Sequence, residues 1–446
     1  MQLLSVFSRI PELRRRVLFT LGMLAVYRVG VFVSSPGIDV ARLRGQFAAS
    51  GGGLFGLVNM FSGGALENFS IFTLGISPYI SVSIIIQLLS PAVPFLEALR
   101  KEGAAGRRVL TRYTRVGTIM LALLQGYLIS VGLENQGFAI YPGLLFRLNT
   151  AVTLCAGTAF MMWLGEQITE RGIGNGTSII IFAGIVARMP LVLISTVALA
   201  QNGAIPATAV LALIIFSVLT VAGIVYVEKS QRKVLVQYPR RTINNRTTQP
   251  TTQFIPLKVN MASVIPPIFA SAILVIPTYL LGFSASEGIR DFVSLLVPGA
   301  WIYEVLFAAL IIVFSFFYTS VVFNPDEVAE NLKKNGGFIP AVRPGRETAD
   351  YLFGILNRLT LWGALYCAAI CIGPQLIYIS LGVRDFAYVF GGTAVLIVVG
   401  VTLDTAAQIQ SMVVARYYED LMAQSSGGRA RFDAQAKSKR RLLRRG

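Results

Sequence analysis

The sequence predicts an all-α polytopic membrane protein, and three observations carry that prediction. The chain is 54% hydrophobic and only 14% charged, against about 25% charged residues in soluble domains. Apolar runs near the ~20 residues that cross a bilayer recur along its whole length. Between them, Lys and Arg gather in every second connection, as they do when basic loops stay on one side of a membrane. The net charge of +17 therefore has its first explanation in topology.

Ten spans are expected, at roughly 17–35, 70–91, 114–133, 148–165, 178–199, 206–227, 262–282, 302–323, 359–380 and 387–411. The first is not a cleaved signal: Val17 to Val33 lacks a small-residue cleavage site, and Ser34-Ser35-Pro36-Gly37 reads as a turn. Arg14, Arg15 and Arg16 precede it, and Arg100, Lys101, Arg107, Arg108 and Arg112 follow the second span. The 229–258 loop, the 324–358 loop and the 416–446 tail are also densely basic. The opposite connections carry only scattered cations such as Arg42, Arg44, Arg147, Arg290 and Arg384. Both termini are thus expected in the cytoplasm. The fourth-to-fifth connection, with Arg171 alone, is the weakest point of the alternation. Five spans plus five would allow two inverted halves, 1–200 and 201–446, because an odd-numbered repeat reverses its own orientation.

Composition also excludes chemistry. The chain has no His, which removes His-based zinc sites and Ser-His catalysis. Cys155, Cys367 and Cys371 lie in apolar runs and read as small packing residues. No GxxxxGK[ST] phosphate loop occurs. Neither a cofactor nor a metal is expected.

The stretch from Asn59 to Pro91 (NMFSGGALENFSIFTLGISPYISVSIIIQLLSP) is unusual. Its first part is broken by Ser62-Gly63-Gly64 and Glu67-Asn68, yet is too apolar for an exposed loop. Lipid cannot satisfy broken backbone, so such a stretch belongs inside protein or along a cavity. It reads as a short re-entrant plug at 59–68, weakly held, then a spanning helix from Ile71 to Leu89.

The opening Pro11-Glu12-Leu13-Arg14-Arg15-Arg16, followed by Tyr27-Arg28, resembles the start of the SecY/Sec61-alpha family of protein-conducting channel subunits. Four further stretches agree in order and spacing: 61–87 (FSGGALENFSIFTLGISPYISVSIIIQ), 166–183 (EQITERGIGNGTSIIIFA), 255–270 (IPLKVNMASVIPPIFA) and 324–352 (NPDEVAENLKKNGGFIPAVRPGRETADYL). The resemblance covers nearly the whole chain. It departs from the family pattern at Thr242 to Gln253, at Ala341 where many relatives have Gly, and at Thr177 where an apolar residue is usual.

The resemblance implies a pore between the halves, closed by an aliphatic ring of Ile80, Ile84, Ile181, Ile268 and Ile397, with Thr177 adjoining. Such a ring dewets and blocks ions without gripping a passing chain. It implies a plug formed by Asn59, Met60, Phe61, Ser62, Gly63, Gly64 and Leu66. It implies contacts to the SecA ATPase and the ribosome through Arg240, Arg241 and Arg343, where Arg suits phosphate recognition. Gln87, Gln125 and Asn260 would border a lateral gate. SecE and SecG would complete a heterotrimer in the bacterial inner membrane, handling preprotein signal sequences and releasing apolar segments into membrane lipids. Taken without the resemblance, each of these residues also reads as ordinary helix packing or loop charge.

A secondary transporter with inverted repeats is the alternative. It requires paired intramembrane charges, and charges within the spans are few; Arg28 and Asp404 are both read as structural. An intramembrane enzyme would need Ser-His catalysis or a pair of intramembrane Asp, and the sequence has no His and no such pair.

Overall fold

Lipid offers backbone N–H and C=O groups no partner, so apolar runs fold as helices that satisfy themselves. The computed structural model describes residues 11–50, 59, 62–91, 93–238, 242–243, 246–247, 251–280 and 300–442. Side chains are described for these except 46–50, 242–243, 246–247, 251, 275–280, 380, 384–385, 388, 417 and 419–442.

The first half contains α1 (Pro11–Val31), α2 (Val40–Ser50), α3 (Ser77–Leu89), α4 (Pro94–Lys101), α5 (Ala104–Asn135), α6 (Leu144–Arg171) and α7 (Gly176–Gln201). The second contains α8 (Ala207–Lys229), α9 (Ile265–Leu280), α10 (Trp301–Val322), α11 (Pro325–Lys334), α12 (Arg346–Ser380), α13 (Arg384–Phe390) and α14 (Gly392–Leu442). Among the described residues, seven helices are long and apolar enough to cross a membrane, or eight if the bent pair α3–α4 is one span. α1 carries Arg14, Arg15, Arg16 and Arg28 within its length, and α9 is apolar but short over the part with described side chains, Ile265–Leu274.

Neighbours repeat in the two halves. α3 packs on α5, α5 on α6 and α6 on α7; α9 packs on α10, α10 on α12 and α12 on α14. The halves meet where α3 and α5 touch α9, and where α7 touches α8 and α14. The main buried cluster lies along these contacts, with Tyr27, Ile84, Ile181, Ile268, Phe307 and Ile397 among its members.

Three expectations are corrected. The second span does not begin near residue 70: α3 starts at Ser77, and 62–76 is a chain of turns. Gly63, Gly64 and Gly75 have φ of +66°, +91° and +58°, and Phe69 has φ of +40°, which no α-helix accommodates. The last span starts at Gly392 rather than 387, after the separate helix α13. A Cβ on Gly392 would collide with the Ile370 carbonyl, so α14 begins where two backbones meet.

The third correction concerns the 229–258 loop, which is a β-hairpin. β1 (Gln231–Tyr238) pairs antiparallel with β4 (Thr251–Lys258), and the short strands β2 (Thr242–Ile243) and β3 (Arg246–Thr247) pair nearer the tip. Its inward residues Val234, Val236 and Leu257 pack with Leu332, Ile339, Leu352 and Ile355 of the 324–358 segment. Gln237 and Phe338 exchange both backbone hydrogen bonds, at 2.9 and 3.0 Å. The two basic loops are therefore one folded protrusion.

Candidate functional site: an aliphatic constriction and its seal

α3 opens with Pro78 in its first turn, where a missing N–H costs nothing. Ile80 and Ile84 follow one helical turn apart, so a single face presents both. α7 is started by Asn175, whose Oδ1 accepts from the Thr177 N–H at 3.1 Å and from the Thr177 hydroxyl at 2.7 Å. This places Ile181 one turn inside the helix, and assigns Thr177 to the helix cap. Gly400 packs against Val264 where a Cβ would clash, which brings α14, with Ile397, close to the start of α9.

Ile84, Ile181, Ile268 and Ile397 all belong to the main buried cluster, and Ile80 packs against it. Ile80, Ile181 and Ile268 line one cavity of about 30 Å³. Ser62, Leu74 and Gly75 line it as well, so three helices and the 62–76 segment close on one small apolar space. That volume admits only one or two waters.

The 62–76 segment and Asn59 are buried and tethered, not weakly held. Asn59, Ser62, Ala65, Leu66, Phe69 and Phe72 are each at most 6% exposed. Tyr27 donates its hydroxyl to the Ser62 carbonyl at 3.1 Å, and Arg28 donates to the Gly63 carbonyl at 3.0 Å. Glu67 accepts from Arg188 at 2.7 Å and from the Asn59 side chain at 2.6 Å. Phe72 stacks on Tyr27 and Phe160. A Cβ on Gly63 would sit 2.7 Å from the Tyr27 hydroxyl and 2.8 Å from Gly184 Cα. These tethers run to α1, α6 and α7, all in the first half. Arg28 thus has a structural role, as expected. The roles of Tyr27, Glu67, Gly184 and Arg188 were not foreseen; the acidic Glu67 within an apolar stretch was the available signal.

Met60, Phe61, Arg240 and Arg241 lie outside the described residues. Arg343 is exposed, 4.0 Å from Glu347, and its carbonyl accepts from the Thr348 hydroxyl at 2.8 Å. Ala341 has φ of +67°, a conformation that suits Gly better than Ala.

The three polar residues expected at the gate do not meet. Gln87 donates to Ser83 in its own helix at 3.2 Å, and the buried Gln125 Oε1 has no hydrogen-bond partner among the described residues. Asn260 donates to Glu228 at 2.7 Å, to the Ser263 carbonyl at 3.1 Å and to Cys367 Sγ at 3.3 Å. All its bonds stay in the second half. Asp404 is exposed and lies 3.9 Å from Lys258, which is a surface pair rather than a relay.

A helical membrane bundle that closes a narrow aliphatic gap with its own buried segment has the build of a gated channel rather than of an enzyme or a solute pocket. Comparison with solved structures agrees on the fold. The chain is similar to "The structure of a protein conducting channel", with a TM-score of 0.64 at 16% identity over 90% of this chain and 92% of that one. It is also similar to "Sec61 in the Canine ribosome-channel complex from the endoplasmic reticulum", with a TM-score of 0.61 at 16% identity and the same coverage. The SecY family model matches residues 70–406. The protein translocase subunit SecY of Pseudomonas aeruginosa is 46% identical over 94% of this chain and 95% of its own length. Those of Escherichia coli K12 and Thermus thermophilus are 45% and 44% identical, over 95% and 93% of this chain and 96% of each relative. The chain belongs to the SecY family of protein translocase channel subunits.

Proposed function

We propose that unfolded polypeptides cross the membrane between the two halves, through the constriction of Ile80, Ile84, Ile181, Ile268 and Ile397, with the 59–76 segment as the seal displaced during transport. The observation that carries this reading is the shared cavity in which Ile80, Ile181 and Ile268 face Ser62, Leu74 and Gly75. An aliphatic ring excludes water and ions while offering a passing chain no fixed charge or hydrogen bond to hold it. Polypeptide in transit replaces the seal in the same space.

Ten spans, cytoplasmic termini and residence in the bacterial inner membrane complete the reading. It is supported by the charge alternation and by a helix at each of the ten expected positions. The contact of α3 and α5 with α9 is the seam that would part toward lipid. A segment entering there partitions by its own transfer energy, with central charges opposing release by about 3 kcal/mol each. Transport takes its energy from outside: SecA with ATP, or chain elongation at the ribosome, docked on the basic protrusion that carries the exposed Arg343. SecE and SecG are the expected partners in the membrane.

The test is reconstitution into vesicles with the partner subunits. The expected result is protection of a preprotein from protease that requires both SecA and ATP. Small-solute flux without either, and no protection, would favour a transporter.

A further inference from the structure

A cleft of about 610 Å³ opens between α10 and α12 where the span α10 ends and α11 begins. It takes no part in the constriction. Phe316, Phe317 and Phe323 supply an apolar wall from α10 and its end, and Phe353 with Leu356 supply the other from α12. Two carboxylates, Asp326 and Asp350, stand at its mouth, and no cation lines it. Among the described residues neither carboxylate has an ion-pair partner. Deeper on the same stripe of α12 lie Asn357 and Thr360. Thr360 is 5% exposed, and its hydroxyl is buried without a hydrogen-bond partner. Helical threonines usually satisfy that hydroxyl on the preceding turn; that of Thr360, a residue lining the cleft, does not.

The order of groups along α12 is informative. Asp350, Asn357 and Thr360 are seven and then three residues apart, which is about 10 Å and then about 5 Å along the axis. A carboxylate pair at the water boundary matches a cation. An amide N–H one step deeper matches an anionic group. A buried hydroxyl beyond it matches a neutral acceptor, and the phenyl rings match hydrocarbon. We propose that this cleft is a binding site for a phospholipid whose head group carries a primary amine. Its ammonium pairs with Asp326 and Asp350, its phosphate accepts from the Asn357 amide, and an ester carbonyl accepts from Thr360. The acyl chains lie along Phe316 and Phe317 of α10. A primary ammonium offers three N–H donors to the carboxylates, whereas a choline head group offers none. An anionic head group without an amine is repelled by them. The inference rests on α10 and α12 spanning the membrane, and is independent of the pore.

The experiment uses the full chain in its membrane complex, reconstituted in phosphatidylcholine and phosphatidylglycerol. Trace phosphatidylethanolamine or phosphatidylcholine, each with a photoreactive group on one acyl chain, is added, and adducts are mapped by peptide mass spectrometry. The ethanolamine probe is expected to label 316–317 at least about fivefold more than the choline probe. Unlabelled phosphatidylethanolamine should compete, and phosphatidylcholine should not. Asp326→Asn with Asp350→Asn should lower labelling to the choline level, and Thr360→Val should weaken it. Equal labelling by both probes would overturn the proposal. So would absence of these adducts from the intact complex, which would mean that protein covers the cleft. If the double variant fails to assemble, the comparison of the two probes on the unmodified chain decides alone.

Discussion

Glu67 and Arg188 form an ion pair at 2.7 Å that ties the sealing segment to α7. The pair is partly exposed, and solvent limits its worth to about 1 kcal/mol. Glu67→Gln is therefore expected to raise the fraction of unsealed channels about fivefold. Resting ion conductance of the purified complex in planar bilayers measures this. Unchanged conductance would show that the pair does not hold the seal.

Gly63 and Gly64 separate two effects. Both have positive φ, so an alanine at either is strained by about 1–2 kcal/mol. Only at Gly63 would the new Cβ also press on Tyr27 and Gly184; at Gly64 the nearest atom is 3.9 Å away. Gly63→Ala should thus leak distinctly more than Gly64→Ala in the same conductance assay. Equal leaks would mean that backbone strain alone matters.

The constriction depends on being apolar. Ile181→Ser places a hydroxyl beside Ile80 and Ile268 and lets water settle in the gap. Higher resting conductance is expected, with the amount of protein in the membrane unchanged. The lipid-facing control Ile194→Ser, at a residue 67% exposed, should not conduct.

The protrusion should divide into fold and contact. Leu352 is fully buried where the hairpin meets the 324–358 segment, and Leu352→Ala should cost about 3 kcal/mol there. Limited proteolysis would read this as faster cleavage at 239–250. Arg343→Glu should leave the cleavage pattern unchanged and abolish SecA-driven transport. Ala341→Gly should relieve the left-handed strain at that position and slow cleavage.

The spans were legible because bilayer thickness fixes both their length and their composition, and the ends of α8 and α10 fall within two residues of expectation. The start of α3 was missed because Ile71, Phe72, Thr73 and Leu74 are as apolar as the helix that follows. Hydropathy cannot distinguish a buried turn from a span, and Pro78 was the marker that could. The hairpin was missed because β1 is short and half polar, and its apolar face is completed only by residues about 100 positions away. The isoleucines of the constriction were named through family resemblance, since nothing in their spacing separates them from other isoleucines. Their company with Ser62, Leu74 and Gly75 depends on four separate segments meeting, which no local pattern encodes.

The central claim is that polypeptide passes between Ile181 and Ile397, and a site-specific disulfide test addresses it most directly. A secretory chain arrested in transit, with one Cys in its translocating part, is presented to variants carrying Cys at 181, 397, 191 or 194, with the three native Cys replaced by Ala. The account predicts cross-links at 181 and 397 and none at the lipid-facing positions 191 and 194. Cross-links confined to 191 and 194 would contradict it.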